Sequence, residues 1–264
     1  MIALGLKGQC ILVTGGTQGI GEAVARAAIE AGSAGVAITG RDVERGKAVA
    51  AALAKSCAES GAKVHFSAGD LAREADCRRI VAEAHSALGH IDGLVNAAGL
   101  TNRGSLEETS VALWDLLFAV NVRAPFILTQ EVVRRLKAER RPGSIVNIIT
   151  RSSHGGQPFL TAYSTSKGAL ATLTKNNAHA LRTDRIRVNG LNIGWADTPG
   201  EHAIQKRDGK PADWLTRAEP AQPFGRLIKP RDVALAAVYL LSDASQMMTG
   251  ALIDFDQNVI GAYD

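Results

Sequence analysis

The chain is poor in several things, and each shortage excludes a class of protein. Cysteine occurs only at Cys10, Cys57 and Cys77, three in 264 residues, with no C-x-x-C spacing. An odd, scattered set argues against a disulfide framework and against a zinc site, and it points to a reducing compartment. No metal is expected. Aromatic residues make up 5%, and the 30 basic and 26 acidic side chains leave a net charge of +4 with no Lys/Arg block. A pI near 9.1 without a clustered basic face does not make a nucleic-acid binder. The opening MIALGLKGQCILVTGG lacks the basic stretch of a secretory leader and runs straight into a strand-like segment. The longest apolar run near the end, VALAAVYLL from Val233, is too short to cross a bilayer. The expectation is a soluble cytoplasmic protein without membrane or nucleic-acid partners. Its 46% hydrophobic residues suit a sizeable core.

What the sequence has is an alternation. Short apolar runs begin at Cys10, Gly35, Lys63, Asp92, Ser144, Arg187 and Ala251. Ala-rich stretches of helical period lie between them, over 21–31, 43–60, 72–88, 111–139, 162–181 and 231–241. Strands apolar throughout, separated by helices, predict a parallel sheet covered on both faces. The fold class is therefore α/β, a Rossmann-type doubly wound parallel sheet of about seven strands. No linker breaks the rhythm over 1–264, so a single domain is expected. Residues 199–223 depart from it. They hold four of the eight prolines, Trp214 and the charged knot QKRDGK. Sitting beyond a strand's carboxyl end, they read as a lid over a site.

TGGTQGIG, from Thr14, follows the first strand and opens the first helix. Its glycines are spaced G-x-x-x-G-x-G. Gly15 permits a tight exit from the strand, Gly19 lets backbone approach a pyrophosphate, and Gly21 lets the helix pack closely. The helix N-terminus attracts the anion, so Gly15, Thr17, Gln18, Gly19, Ile20 and Gly21 form a dinucleotide-binding turn. The second strand ends with Arg41, which suits a ribose 2′-phosphate and favours NADP(H). NAD(H) is the alternative, with Asp42 on the ribose; Asp42 reads more simply as the cap of the next helix. Asp70 and Leu71, after the third strand, fall where an adenine would lie. The small residues of NAAG (Asn96, Ala97, Ala98, Gly99) allow close contact with a cofactor.

TAYSTSKGALATL puts Tyr163 and Lys167 one helical turn apart on one face. Taken alone, a surface Tyr beside a surface Lys explains that spacing. TGGTQGIG, NAAG, AVNV, YSTSK and NIGWADT, in this order, together resemble the short-chain dehydrogenase/reductase family over nearly the whole chain. The resemblance implies a subunit, often tetrameric or dimeric, that moves a hydride between NAD(P) and an alcohol or carbonyl. It makes Tyr163 the general acid/base and Lys167 its electrostatic partner and ribose ligand. An ammonium beside the phenol is expected to draw its pKa down from about 10. Asn121 matches the family asparagine of the proton relay; a helical Asn bonded to nearby backbone is the plain reading of the same residue. Thr150 stands where the family usually has a catalytic Ser and keeps the hydroxyl, with Ser152 and Ser153 as fallbacks and His154 as a loop residue. Ile193 replaces a usual proline, and Thr198 is placed to bond the carboxamide; Trp195, large and next to the lid, either walls the pocket or packs structurally. The last strand lacks a usual glycine pair. The function expected is NADP(H)-preferring interconversion of a secondary alcohol and a ketone. NAD-linked oxidation of a polyol or sugar-like alcohol, and a non-catalytic dinucleotide sensor, are the rivals.

Overall fold

A computed structural model describes residues 5–262. Seven strands run parallel in the order β3-β2-β1-β4-β5-β6-β7. They are β1 (Cys10–Thr14), β2 (Gly35–Gly40), β3 (Lys63–Ala68), β4 (Gly93–Asn96), β5 (Gly143–Ile148), β6 (Ile186–Ile193) and β7 (Leu252–Phe255). Side chains alternate across β1: Ile11 and Val13 enter one core, Cys10 and Leu12 the other. The first core is closed by α1 (Gly19–Glu30), α2 (Val43–Ser56) and α9 (Pro230–Leu241). The second is closed chiefly by α3 (Glu74–Leu88) and α5 (Ala124–Ala138), with α4 (Val111–Phe118) and α6 (Thr161–Leu181) beside them. Because the chain winds outward from β1 in one direction and from β4 in the other, their carboxyl ends diverge and leave a crevice.

Three expectations are corrected. The single helix over 111–139 is interrupted by a π turn at Ala119–Arg123. Pro125 has no N–H to return to the preceding turn, so the ladder widens there, and Asn121 sits in the widened turn. The stretch Val111–Ala138 is 28 residues long, and its most apolar window of 18 residues, with mean hydropathy 1.6, meets the length and composition of a membrane span. It packs instead as a core helix, with Leu117, Leu128, Val132 and Leu136 buried. Residues 199–223 are not loop throughout: α7 (Pro199–Arg207) and α8 (Trp214–Ala218) lie within them. Thr198 caps α7, its side chain accepting from Glu201 N at 3.1 Å. The strand placed at 92–99 ends at Asn96, so Ala97, Ala98 and Gly99 belong to the loop over the crevice. Asp42 caps α2 as expected, accepting from Arg45 N at 3.0 Å.

Arg187 on β6 pins α9 to the sheet. Its guanidinium donates to the carbonyls of Leu240 and Leu241, at the end of that helix, and of Ser242 and Ser245 just beyond it. A cation on several terminal carbonyls satisfies groups the helix leaves open. Arg187→Met removes those bonds and keeps the aliphatic stem. It should lower unfolding free energy by about 2 kcal/mol, measured by urea denaturation.

Candidate active site

A cleft of about 890 Å³ opens along the carboxyl edge, with the β1–α1 turn on one side and the loop after β4 on the other. Gly15 (φ +66°) is what lets the two meet: a Cβ there would stand 2.9 Å from the Ala98 backbone. Ala98 N donates to Thr14 Oγ1 at 3.2 Å, locking the two strand ends together. Gly21 is similarly obligatory, since its Cβ would fall 2.2 Å from Gly15 O. The glycines of the turn and the N-terminus of α1 thus bring backbone to the cleft beside Thr17, Gln18 and Ile20, a cradle suited to a pyrophosphate.

At one end of the cleft Arg41 is exposed, with no ion-pair partner among the described residues. Arg45 joins it from the first turn of α2. The sequence reading missed Arg45: Arg41 lies before the start of α2, so no helical spacing links the two. The Asp42 carboxylate caps α2 and lies 3.7 Å from the Arg45 guanidinium, so it is engaged away from a ribose. Asp70 and Leu71 line the cleft nearby. The Asp70 carboxylate bonds Ala72 N at 3.0 Å, which fixes that turn.

At the other end, Tyr163, Thr150 and Ser152 line the cleft with Ile193, Trp195 and Thr198. Thr150 Oγ1 accepts from Ser152 N at 3.2 Å, and its hydroxyl lies beside the Tyr163 phenol. His154 turns away to Asp254, 2.9 Å off. Lys167 lies beneath the surface, 4% exposed, with one hydrogen bond, from Nζ to Ile148 O at 2.9 Å. A Cβ on Gly99 would stand 3.4 Å from Nζ and 3.5 Å from Asn121 Oδ1. Asn121 is buried too: it accepts from Leu100 N (2.9 Å) and donates to Leu100 O (3.0 Å) and Ser166 Oγ (3.0 Å). Its amide does not bond Lys167, so the structure gives it the work of seating the loop. Asn96 is likewise under the floor, donating to Asn147 Oδ1 at 2.8 Å. Its amide holds strand ends together and does not reach the cleft.

The electrostatics reverse one expectation. Burial pushes the Tyr163 phenol up to about 12; the Thr150 hydroxyl bonded to it works downward, and the Glu201 carboxylate upward. Lys167 does not enter that balance, and burial pushes it down to about 8. Desolvation is the largest influence on both groups. An ammonium with two donors unused and a glycine-rich turn at a helix N-terminus both suit a nicotinamide dinucleotide: its ribose hydroxyls fit the first and its pyrophosphate the second. Away from the cleft, Cys10, His90 and Asp92 bring three donor atoms within 4.8 Å. Asp92 there is already taken by the Arg141 guanidinium and Cys10 N–H, and burial pushes the Cys10 thiol up.

A dinucleotide cleft at the switch point of a parallel sheet, with a phenol over a buried lysine, defines an NAD(P)-linked oxidoreductase. The comparisons agree. Residues 15–257 match the family described as enoyl-(acyl carrier protein) reductase. The chain is 34% identical to 2-(S)-hydroxypropyl-CoM dehydrogenase 3 of Xanthobacter autotrophicus, over 95% of this chain and 96% of the relative. It is 33% identical to an NADP-dependent (R)-specific alcohol dehydrogenase of Lentilactobacillus kefiri, over 93% and 94%. The crystal structure of a short-chain type dehydrogenase/reductase from Mycobacterium marinum superposes with a TM-score of 0.87 at 28% identity, over 98% of both chains. The chain belongs to the short-chain dehydrogenase/reductase family and is an NAD(P)-dependent oxidoreductase acting on alcohols.

Lys167 is held at a cost to the fold. Its pKa is lower folded than unfolded, so the folded state binds fewer protons between about pH 8 and 10.5. The penalty is full below that window and is relieved as pH rises through it. Lys167→Met should therefore raise stability at pH 7 by on the order of 3 kcal/mol and lose the gain towards pH 10.5. Denaturation at two pH values checks both the sign and the window.

Proposed function

We propose that the protein is an NADP(H)-preferring oxidoreductase that interconverts a secondary alcohol and a ketone, with Tyr163 as general acid/base. One observation carries the reading: the cleft has a phenol and a threonine hydroxyl at one end and two arginines at the other. The nicotinamide, when bound, supplies or takes up the hydride. Thr150 hydrogen-bonds the substrate oxygen and steadies charge that develops there. Tyr163 gives its proton to that oxygen in reduction and takes it back in oxidation. Lys167 holds the nicotinamide ribose through its unused donors. Asn121 acts through position, keeping Leu100 and the start of α6 in register. Ile193 and Thr198 meet the carboxamide, the turn from Gly15 to Gly21 and Ala97 to Gly99 the diphosphate and ribose, and Asp70 and Leu71 the adenine.

Arg41 and Arg45 together read the 2′-phosphate, since two guanidiniums at one ribose end favour an extra dianion. The NAD-linked alternative would need Asp42, whose carboxylate is held by its own helix. Residues 199–223 close over the substrate as one unit with the rest of a single domain. The chain assembles with copies of itself. Support for that comes from Val111 and Phe126, apolar side chains left 76% and 46% exposed on the π-broken helix.

Two measurements test this reading. Tyr163→Phe should still bind NADPH but lose roughly 10²-fold or more in turnover of a ketone; retained turnover would remove Tyr163 from the chemistry. Arg41→Ala with Arg45→Ala should weaken NADPH by about tenfold to a hundredfold in a fluorescence titration and leave NADH within a few-fold. Equal losses for both cofactors would show that these arginines do not read the phosphate.

A further inference from the structure

We propose that the substrate end of the cleft is built for a polyhydroxylated substrate, with Glu201 and Gln157 accepting hydroxyls other than the one that reacts. The inference rests on the alcohol–ketone reading above and adds the substrate class.

Glu201 is the third residue of α7, where a glutamate ordinarily reaches back to the N–H of the cap residue. Here the backbone half of that arrangement is present, Glu201 N donating to Thr198 Oγ1, but the side chain goes elsewhere. Its Oε1 accepts from Trp195 Nε1 at 2.9 Å and Gln205 Nε2 at 2.6 Å. Arg103 Nη2 stands 3.6 Å from the same oxygen. Everything that holds this carboxylate therefore holds one oxygen. Oε2 has no partner among the described residues, and the residue lines the cleft. An anchored carboxylate with one oxygen free is an oriented acceptor. It lies within electrostatic reach of the Tyr163 phenol, which its charge pushes upward.

Gln157 lines the same end of the cleft, and its Oε1 is buried with no partner among the described residues. A carbonyl removed from water and left unpaired is unfavourable, and a donor on the substrate would satisfy it. Two acceptors thus lack donors beside the reacting position.

The cations there are occupied. Arg103 pairs with Asp208 at 2.8 Å, and Arg151 with the buried Asp256 at 2.6 Å. Only Lys210 is exposed at the rim without a partner among the described residues. That balance favours neutral hydroxyls over an anionic group. Trp195, stacked on Trp214 at 5.8 Å, offers a ring face to the C–H side of such a chain.

The test uses the full chain with saturating cofactor and a five-carbon panel: 2-pentanol, pentane-2,3-diol, pentane-2,4-diol and the pentitols. At least one diol or pentitol should exceed 2-pentanol by about tenfold in kcat/KM, as a site with unmet acceptors rejects an analogue lacking the donor. Glu201→Leu and Gln157→Leu should each cut that ratio by about tenfold, chiefly through KM. Glu201→Gln keeps an acceptor in nearly the same shape and should retain part of the preference, which a structural role alone would not produce. It also serves if the leucine variant fails to bind NADPH. A panel led by 2-pentanol, a ratio unmoved in all three variants, or cofactor binding with no turnover of any diol or pentitol would overturn the inference. Failure to bind either NADPH or NADH would instead overturn the oxidoreductase reading beneath it.

Discussion

A charged amine buried with a single hydrogen bond is an arrangement that proteins rarely tolerate, and the catalytic end of this cleft is organised around one. Lys167 lies in the second turn of α6, from which Nζ reaches the carbonyl of Ile148, the last residue of β5. Gly99 packs close by, where a Cβ would stand 3.4 Å from Nζ, in van der Waals contact. The same helix carries Tyr163 one turn earlier, and the phenol and the amine are therefore set by a single rigid element. Moving either would require α6 to slide on the sheet.

The loop after β4 has to be fixed just as firmly, since it forms the opposite wall. Asn121 does this by bonding both backbone groups of Leu100 and, through Ser166, the start of α6, where Ser166 Oγ donates to Tyr163 O at 2.7 Å. A regular helix would have carried this residue past the loop. The π turn, forced where Pro125 cannot donate, aims the amide inward. A proline outside the cleft thus bears on the geometry of Tyr163 and Lys167.

Much of this was readable in the residues because it depends on local rules. Apolar strands alternating with amphipathic helices dictate a doubly wound sheet, and the order of its strands follows from short crossovers of one hand. The glycine turn, Arg41 and the Tyr–Lys pair lie at strand ends, where short motifs keep their meaning. Other features needed the third dimension. The helices at 199–207 and 214–218 hide behind prolines and charge, and their packing comes from tertiary contacts such as Trp214 on His202. The break at Asn121 follows a Pro that is also acceptable at a helix start. Asn96 looked like a cofactor contact from its motif, but the pleat of β4 turns its amide under the floor. Arg45 lies on a helix whose angle to the cleft no spacing reveals.

The phenol shows most clearly how far spacing carries. One turn of helix brings a lysine near a tyrosine, and from that alone attraction should lower the phenol's pKa. Desolvation acts on both groups at once, raising the phenol to about 12 and lowering the amine to about 8, so at neutral pH the phenol keeps its proton and the amine holds its own less tightly but remains charged. Glu201, across the cleft, reinforces the proton on Tyr163. Positive charge brought in beside the ring acts in the opposite sense. The protein alone thus keeps the Tyr163 phenol protonated, the state from which the proposed mechanism has it donate to a carbonyl oxygen. Its use as a base depends on what charge the cleft has taken in, which ties the state of the proton to the state of the bound partner without any moving part.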